Sequence, residues 1–434
     1  MYHSLSKRIV LLILGIVLFL AGCTPGTEGN LTPTPAPQVV LIWWNLFEPE
    51  ENVKLLIEAY QNAHPNVTIQ YSQKDTTTGI DNYKTELDEA LGDNDPLTTP
   101  DIFSIHNTWT DKYAQYIATA PASVLTQNDL DDFYQVVKDD FVHNNNIYAL
   151  PLYLDTMAII YNKDKLQNAG YTVPAELWSD FKVQAQALTT KNQSNLIDTA
   201  GFSANIPENS EFMFDMINLL FLQNGVQMTD VTASRAIFST QREAQDAIDF
   251  YQSLTKGTNP TWNKQFKKDI AMFLEKRLAM YAAPSWRLID ILNYNNTFNL
   301  GLNVGVAPVP QVAGDSVHWA TYWGQTVAKD SIHQDVAWDF IKFITQAEQL
   351  RLLNKTVKDN GRPIGIIYPR QSMASEISND PYLGPYTLSA ARAKSWNMKD
   401  GYAMKKTFLL EFAGDVKAET LESAATNVLQ GKNN

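Results

Sequence analysis

Residues Val39-Val-Leu-Ile-Trp-Trp44 form an unbroken apolar run, the pattern of a strand buried on both faces of a parallel sheet. Pro49 follows with acidic Glu48, Glu50 and Glu51, which suit the positive amino end of a helix. Val53, Leu56, Ile57 and Tyr60 recur at i, i+3, i+4 and i+7 and give that helix one core-facing stripe. Val67-Thr-Ile-Gln-Tyr71 alternates as a second strand, a helical segment follows near Tyr83–Leu91, and Asp101–Ile105 is a third strand. The spacing predicts a βαβαβ unit, hence a doubly wound α/β architecture whose ligands bind beyond the carboxyl ends of the strands. That rule singles out the loops Asn45–Glu48 and His106–Trp109.

Further along, Ile147–Leu154 and Met157–Tyr161 read as strand-like, with Pro151 inside the first, and residues 174–281 read as helix-rich. Strand-like Leu302–Ala307 and Gln325–Ala328 come next, then a single helix over Asp335–Leu353 with Ala337, Phe340, Ile341 and Ile344 on its buried face. After Gly361-Arg-Pro363 the chain reads as mostly helical to about Leu429. No repeat of solenoid period and no interior linker occurs, so a two-lobed body would be joined by several chain crossings.

The chain's one cysteine, Cys23, ends a basic and apolar leader: Lys7 and Arg8 precede the run from Ile9 to Gly22. That run is shorter than the roughly 20 apolar residues a membrane-spanning helix needs, and it reads as a secretory signal over residues 1–22. Leu20-Ala-Gly-Cys23 resembles a bacterial lipobox, which implies cleavage before Cys23 and a lipid on its sulfur; a short uncleaved anchor is the alternative. Residues 23–38 are rich in Pro and Thr and form a flexible tether. The expected product is exported and lipid-anchored to the cell membrane, facing the periplasm or the extracellular space. A single cysteine excludes a disulfide scaffold within the chain, and with only six histidines no metal or other cofactor is expected. A net charge of −13 argues against nucleic acid as a partner.

Motifs for turnover are missing. Gly201-Phe-Ser-Ala-Asn205 lacks the second glycine of a nucleophile elbow, and no Walker loop, His-Glu-x-x-His or Cys-x-x-Cys is present. Asp93-Asn-Asp95 hints at calcium without the rest of an EF-hand loop and reads as a solvated turn. Paired acids such as Glu48, Asp101 and Asp155 leave a glycosidase formally open, yet any acidic chain offers chance pairs.

Tyr148-Ala-Leu-Pro151, Asp155, Ile160-Tyr-Asn-Lys-Asp-Lys-Leu166, Ala169-Gly170, Pro174 and Trp178 together resemble the family 1 extracellular solute-binding proteins. The resemblance extends to Pro100-Asp-Ile102, Leu278-Ala-Met-Tyr281 with Trp286, Val306–Pro310, Gly324–Lys329 and Gly361-Arg-Pro363. It covers nearly the whole mature chain, each piece weak alone and the order carrying the match. The family comprises capture subunits of bacterial ABC importers for sugars, including maltodextrin and glycerol-phosphate binders. Membership implies a two-lobed periplasmic-binding-protein type II clamp, each lobe a mostly parallel sheet flanked by helices, closing by hinge bending. By analogy one lobe holds 39–152 plus 326–358 and the other 153–325 plus 359–434. Tyr322-Trp323-Gly324 stands where many members have two glycines. The implied protein is a monomer that binds a mono- or oligosaccharide, hands it to permease subunits and touches the membrane only through its lipid. A sugar sensor feeding a membrane receptor and a lipid-anchored polysaccharide hydrolase are the alternatives.

A sugar presents apolar C–H faces and a ring of hydroxyls, so its receptor needs aromatic platforms beside charge-assisted hydrogen-bonding groups. The expected strand ends supply both: Trp44, Asn45 and Glu48, then Asn107 and Trp109 beside His106. Tyr153 and Asp155 fall at the first expected crossing, Tyr322 and Trp323 at the second, with Trp286, Arg287 and Arg362 from the facing lobe and the third crossing. Trp43 and Trp44 alternate across a strand, so one packs inside and Trp44 is the one assigned to the pocket. Glu48 also suits the helix amino end alone, and His106 reads as a structural histidine. Trp178 and Trp338 read as packing residues and Trp396 as an outside candidate.

Overall fold

The computed structural model describes residues 37–77, 79–93, 99–413 and 416–432; the signal, Cys23, most of the tether and Asn94-Asp95 lie outside them. Strand β1 (Val39–Asn45) pairs in parallel with β2 (Val67–Gln73) along its whole length, and with β3 (Ile102–His106) at Trp43–Ile102 and Trp44–Phe103. Helix α1 (Glu50–Ala63) starts after Pro49 with Glu50 and Glu51 in its first turn, and buries Val53, Leu56, Ile57 and Tyr60 against the sheet side of the chain. Helix α2 (Ile80–Gly92) buries Tyr83, Leu87 and Leu91. The βαβαβ unit therefore forms from the periodicities that announce it.

A fourth strand, Trp323–Val327, arrives from the far end of the chain and lies antiparallel to β3, giving the order 323–327, β3, β1, β2. Trp43 is fully buried and donates its indole N–H to Gln325 Oε1 at 2.7 Å. Gly324 is required here, because a Cβ would sit 2.7 Å from the Phe141 ring and 2.9 Å from Ala149 Cβ.

The second sheet has five strands in the order Val304–Pro308, Met157–Asn162, Leu278–Pro284, Ile197–Phe202, Thr190–Lys191. Only the pair Ile197–Phe202 with Leu278–Pro284 is parallel, so the mostly parallel character expected of each lobe holds for the first sheet and not for this one. Thr190–Lys191, Ile197–Phe202 and the first part of Leu278–Pro284 fall inside the stretch read as helix-rich. Leu278–Pro284 (LAMYAAP) is wholly buried at the sheet centre, where packing on both faces overrides the helical preference of its alanines. The helix expected over 335–353 is two helices, Gln334–Ile344 and Ala347–Asp359. Between them Thr345 is buried and turns its hydroxyl back to the Ile341 carbonyl at 2.8 Å, a bond that competes with helix continuation.

Three isolated antiparallel bridges stitch the segments running between the sheets: Leu150–Gln325, Leu154–Ile367 and Thr156–Ala320. They join residues 150–156 to 320–325 and to 367.

Candidate functional site

A cavity of about 820 Å³ opens at the carboxyl ends of β1 and β3 and is closed on its other side by helices of the second sheet. On the first side the loop after β1 contributes Phe47 and Glu48, and the end of β3 contributes His106 and Thr108. Glu48 is almost fully buried; its Oε2 accepts from Arg362 Nη2 at 2.7 Å and from Asn52 Nδ2 at 2.8 Å. Asn360 Nδ2 adds a 2.9 Å bond to Asn52 Oδ1, so the 360–362 turn is bonded onto the start of α1. The Glu48 carboxylate, 2% exposed, has almost no water to fall back on and depends on these bonds.

Trp323 is the centre of an aromatic group. Its ring lies edge-on to Trp109 (5.1 Å), His106 (5.2 Å) and Phe47 (5.7 Å), with Tyr402 tilted at 6.2 Å. Burial pushes His106 down to about 3, and its ring nitrogens are bonded to Thr108 Oγ1 (2.8 Å) and Thr321 Oγ1 (3.0 Å). The imidazole is therefore neutral near pH 7 and serves as a polar piece of wall.

On the second side Ser285 opens the helix Ser285–Thr297 from the end of strand Leu278–Pro284. Asp155 holds that helix start: its carboxylate accepts from the Ser285 N–H (3.0 Å), the Ser285 hydroxyl (2.9 Å), the Trp286 N–H (3.4 Å) and the Thr156 N–H (2.8 Å). Burial nevertheless pushes Asp155 up to about 7, against the pull of the Ser285 and Thr156 hydrogen bonds. Trp286 stands half-exposed in the cavity, with Phe212 edge-on at 5.5 Å and the Arg287 guanidinium 4.5 Å from its ring centre. Arg287 is held in turn by Glu211 and by Asp290 at 2.6 Å. Asp215 accepts from the Trp319 indole at 3.0 Å and is raised by burial, and Lys405 lines the cavity near it. Aromatic faces and fixed carboxylates thus face one another across a space of ligand size.

Of the residues singled out in the sequence, Glu48, Tyr153, Asp155, Trp286, Arg287, Tyr322, Trp323 and Arg362 line this cavity. Tyr322 does so while buried, its hydroxyl donating to Asp140 Oδ2 at 2.6 Å. Trp44, Asn45, Asn107 and Trp109 are not among the lining residues. Trp44 is covered by Lys74, whose ammonium sits 3.5 Å from its ring centre. Asn45 is bonded to Ser104 and Gln325 within the first sheet, and Asn107 to Asp140. Trp109 is fully buried behind Trp323, next to Lys84 and Lys112, which both reach Asp400. Phe47, Phe212, Asp215, Tyr402 and Lys405 line the cavity without having been singled out. A half-exposed aromatic in a turn, as at Phe47, carries no periodic signal. Tyr402 and Lys405 share one face of a late helix, Gly401–Phe412, whose i, i+3 spacing reads equally well as packing.

Among the described residues no cluster of three or more His, Cys, Asp or Glu could hold a metal ion, and no helix is long and apolar enough to cross a membrane.

The architecture is that of the type II periplasmic binding proteins. The sugar-binding protein MalE of Xanthomonas citri superposes with a TM-score of 0.73 at 18% identity, covering 91% of this chain and 98% of MalE. A cyclo/maltodextrin-binding protein complexed with maltotetraose superposes with a TM-score of 0.72 at 16% identity, covering 92% and 98%. The model of the bacterial extracellular solute-binding protein family matches residues 48–350, and the chain belongs to that family. The maltotriose-binding protein of Pyrococcus abyssi is 23% identical over 79% of this chain and 68% of its own length. These relatives are named as binding proteins.

Proposed function

We propose that the chain captures a carbohydrate in this cavity and delivers it to the permease of an ABC importer, as a monomer tethered by lipid at Cys23. The observation that carries the reading is the composition of the cavity: Trp286 and Trp323 offer apolar faces, and Glu48, Arg362, Asp155 and Arg287 offer fixed polar groups between them. That combination fits a molecule with C–H faces and a rim of hydroxyls. The names of the relatives, which bind maltotriose and other sugars, support it. An 820 Å³ cavity falls in the upper part of the range for small-molecule sites and favours several sugar rings over one.

In this reading the two sheets are the cores of two jaws, with the strand Trp323–Val327 wholly in the first, so the boundary expected after residue 325 moves to before 323, and the bridged segments between them are the hinge. Ligand stabilises the closed form through the contacts it makes to both jaws at once. The mature chain screened by thermal shift and tryptophan fluorescence against mono-, di- and oligosaccharides, with recovery of each hit, tests it. A sugar that raises the melting temperature and returns intact is the expected result. Recovery of cleaved sugar, or binding of peptides and no saccharide, overturns it.

A further inference from the structure

Most of the described non-glycine residues with positive φ are asparagines, the residue that tolerates a left-handed backbone best. Phe47, at φ 63°, is the one aromatic among them and the one that lines the cavity. A bulky side chain in this region strains the backbone and persists only where its neighbours over-determine it. They do so here on both flanks. Asn45 is bonded through its side chain to Ser104 and Gln325, and its carbonyl accepts from the Lys74 N–H at 2.8 Å. Leu46 is buried, the Glu48 N–H closes a tight turn onto the Leu46 carbonyl at 2.7 Å, and Glu48 is fixed by Arg362.

The ring gains little core packing from this. Phe47 is 44% exposed, with an edge-on contact to Trp323. Among the described residues, only Phe47 and Trp286 are both large exposed apolar side chains and part of the cavity lining. They come from opposite sides of it, one from the loop after β1 and the other from the helix after strand Leu278–Pro284.

We propose that Phe47 is a specificity-determining ligand contact, its phenyl face set by the left-handed turn to stack on the C–H face of one pyranose ring of an oligosaccharide. The proposal rests on the carbohydrate reading above. A saccharide long enough to reach both Phe47 and Trp286 gains a contact that a single ring cannot make, so Phe47 contributes to discrimination by chain length.

The test compares Phe47→Ala, Phe47→Asn and Phe47→Trp with the unmodified protein by calorimetric titration against malto- and manno-oligosaccharides of one to four rings. Phe47→Ala and Phe47→Asn are expected to lose about tenfold or more in affinity for the longest saccharide bound, the size of a stacked aromatic contact, and clearly less for the shortest. Phe47→Trp is expected to keep the preference for length. Phe47→Asn is expected to melt above Phe47→Ala, because both remove the ring and only asparagine relieves the backbone. Unchanged affinities in the Ala and Asn variants overturn the proposal, as does a loss equal at every chain length. Absence of saccharide binding by the unmodified protein overturns the carbohydrate reading itself, and this inference with it.

Discussion

Two arginines line the cavity, and they meet their carboxylates under opposite conditions. Arg362 pairs with Glu48 on the first side, where the two side chains are 18% and 2% exposed and Asn52 shares the carboxylate. Arg287 pairs with Glu211 and Asp290 on the second side, where those carboxylates are 29% and 40% exposed. In the first pair both charges have lost most of their water, so each depends on the other. In the second, the two carboxylates keep access to solvent, while Arg287, itself only 16% exposed, has two of them to share. One side of the cavity is therefore fastened, while the other holds Trp286 upright with contacts that are individually cheap to break.

The comparison is broken most directly at Arg362. Arg362→Met strands a buried carboxylate and is expected to cost about 3–5 kcal/mol in denaturant unfolding; adding Glu48→Gln should recover most of it. A cost below about 1 kcal/mol for the single variant would mean the pair is no more than a surface bridge. On the second side, Trp286→Ala is expected to weaken saccharide binding by about 2 kcal/mol in titration calorimetry. Its melting temperature should scarcely move, because the indole is half-exposed.

Asp155 sharpens the picture through pH. Its unfolded carboxyl releases its proton near 3.8 and its folded one near 7, so between those values the folded state holds more protons. Stability from this group is thus lost as pH rises through that window. Measured against Asp155→Asn, the unmodified protein should lose up to about 1.4 kcal/mol per pH unit between about pH 4 and 7. Equal slopes in the two proteins would show that Asp155 does not titrate there. The smallest effect belongs to Glu211→Gln, expected to cost less than about 1 kcal/mol and to shrink further at high salt.

Much of this fold was legible because burial imposes period. The stripe Val53, Leu56, Ile57, Tyr60 and the unbroken run Val39–Trp44 carry their structure in their spacing, and both occur where expected. Leu278–Pro284 was not legible as the middle of a sheet, since alanines leave the choice of helix or strand to the surroundings. Within the site, position along a strand indicated the loops and not the individual side chains. Trp44 sits at the carboxyl end of β1, yet the sheet is covered on both faces, so alternation chooses a face without choosing the cavity. Arg362 and Glu48 meet from 314 positions apart, and no local pattern encodes that meeting. Asp155 was picked out as a ligand contact; it lines the cavity with both carboxylate oxygens already engaged by the Ser285 helix start.

The strand Trp323–Val327 has a bearing on how the chain is made. Ribosomes deliver β1, β2 and β3 first, yet β3 lacks its outer neighbour and Trp43 its acceptor until Gln325 emerges, 282 positions later. Pairing over such distances is slow, because a long loop must close before any contact rewards it. The oldest part of the polypeptide is thus the last to be sealed. The first sheet therefore stays open along β3 until about three quarters of the chain exists.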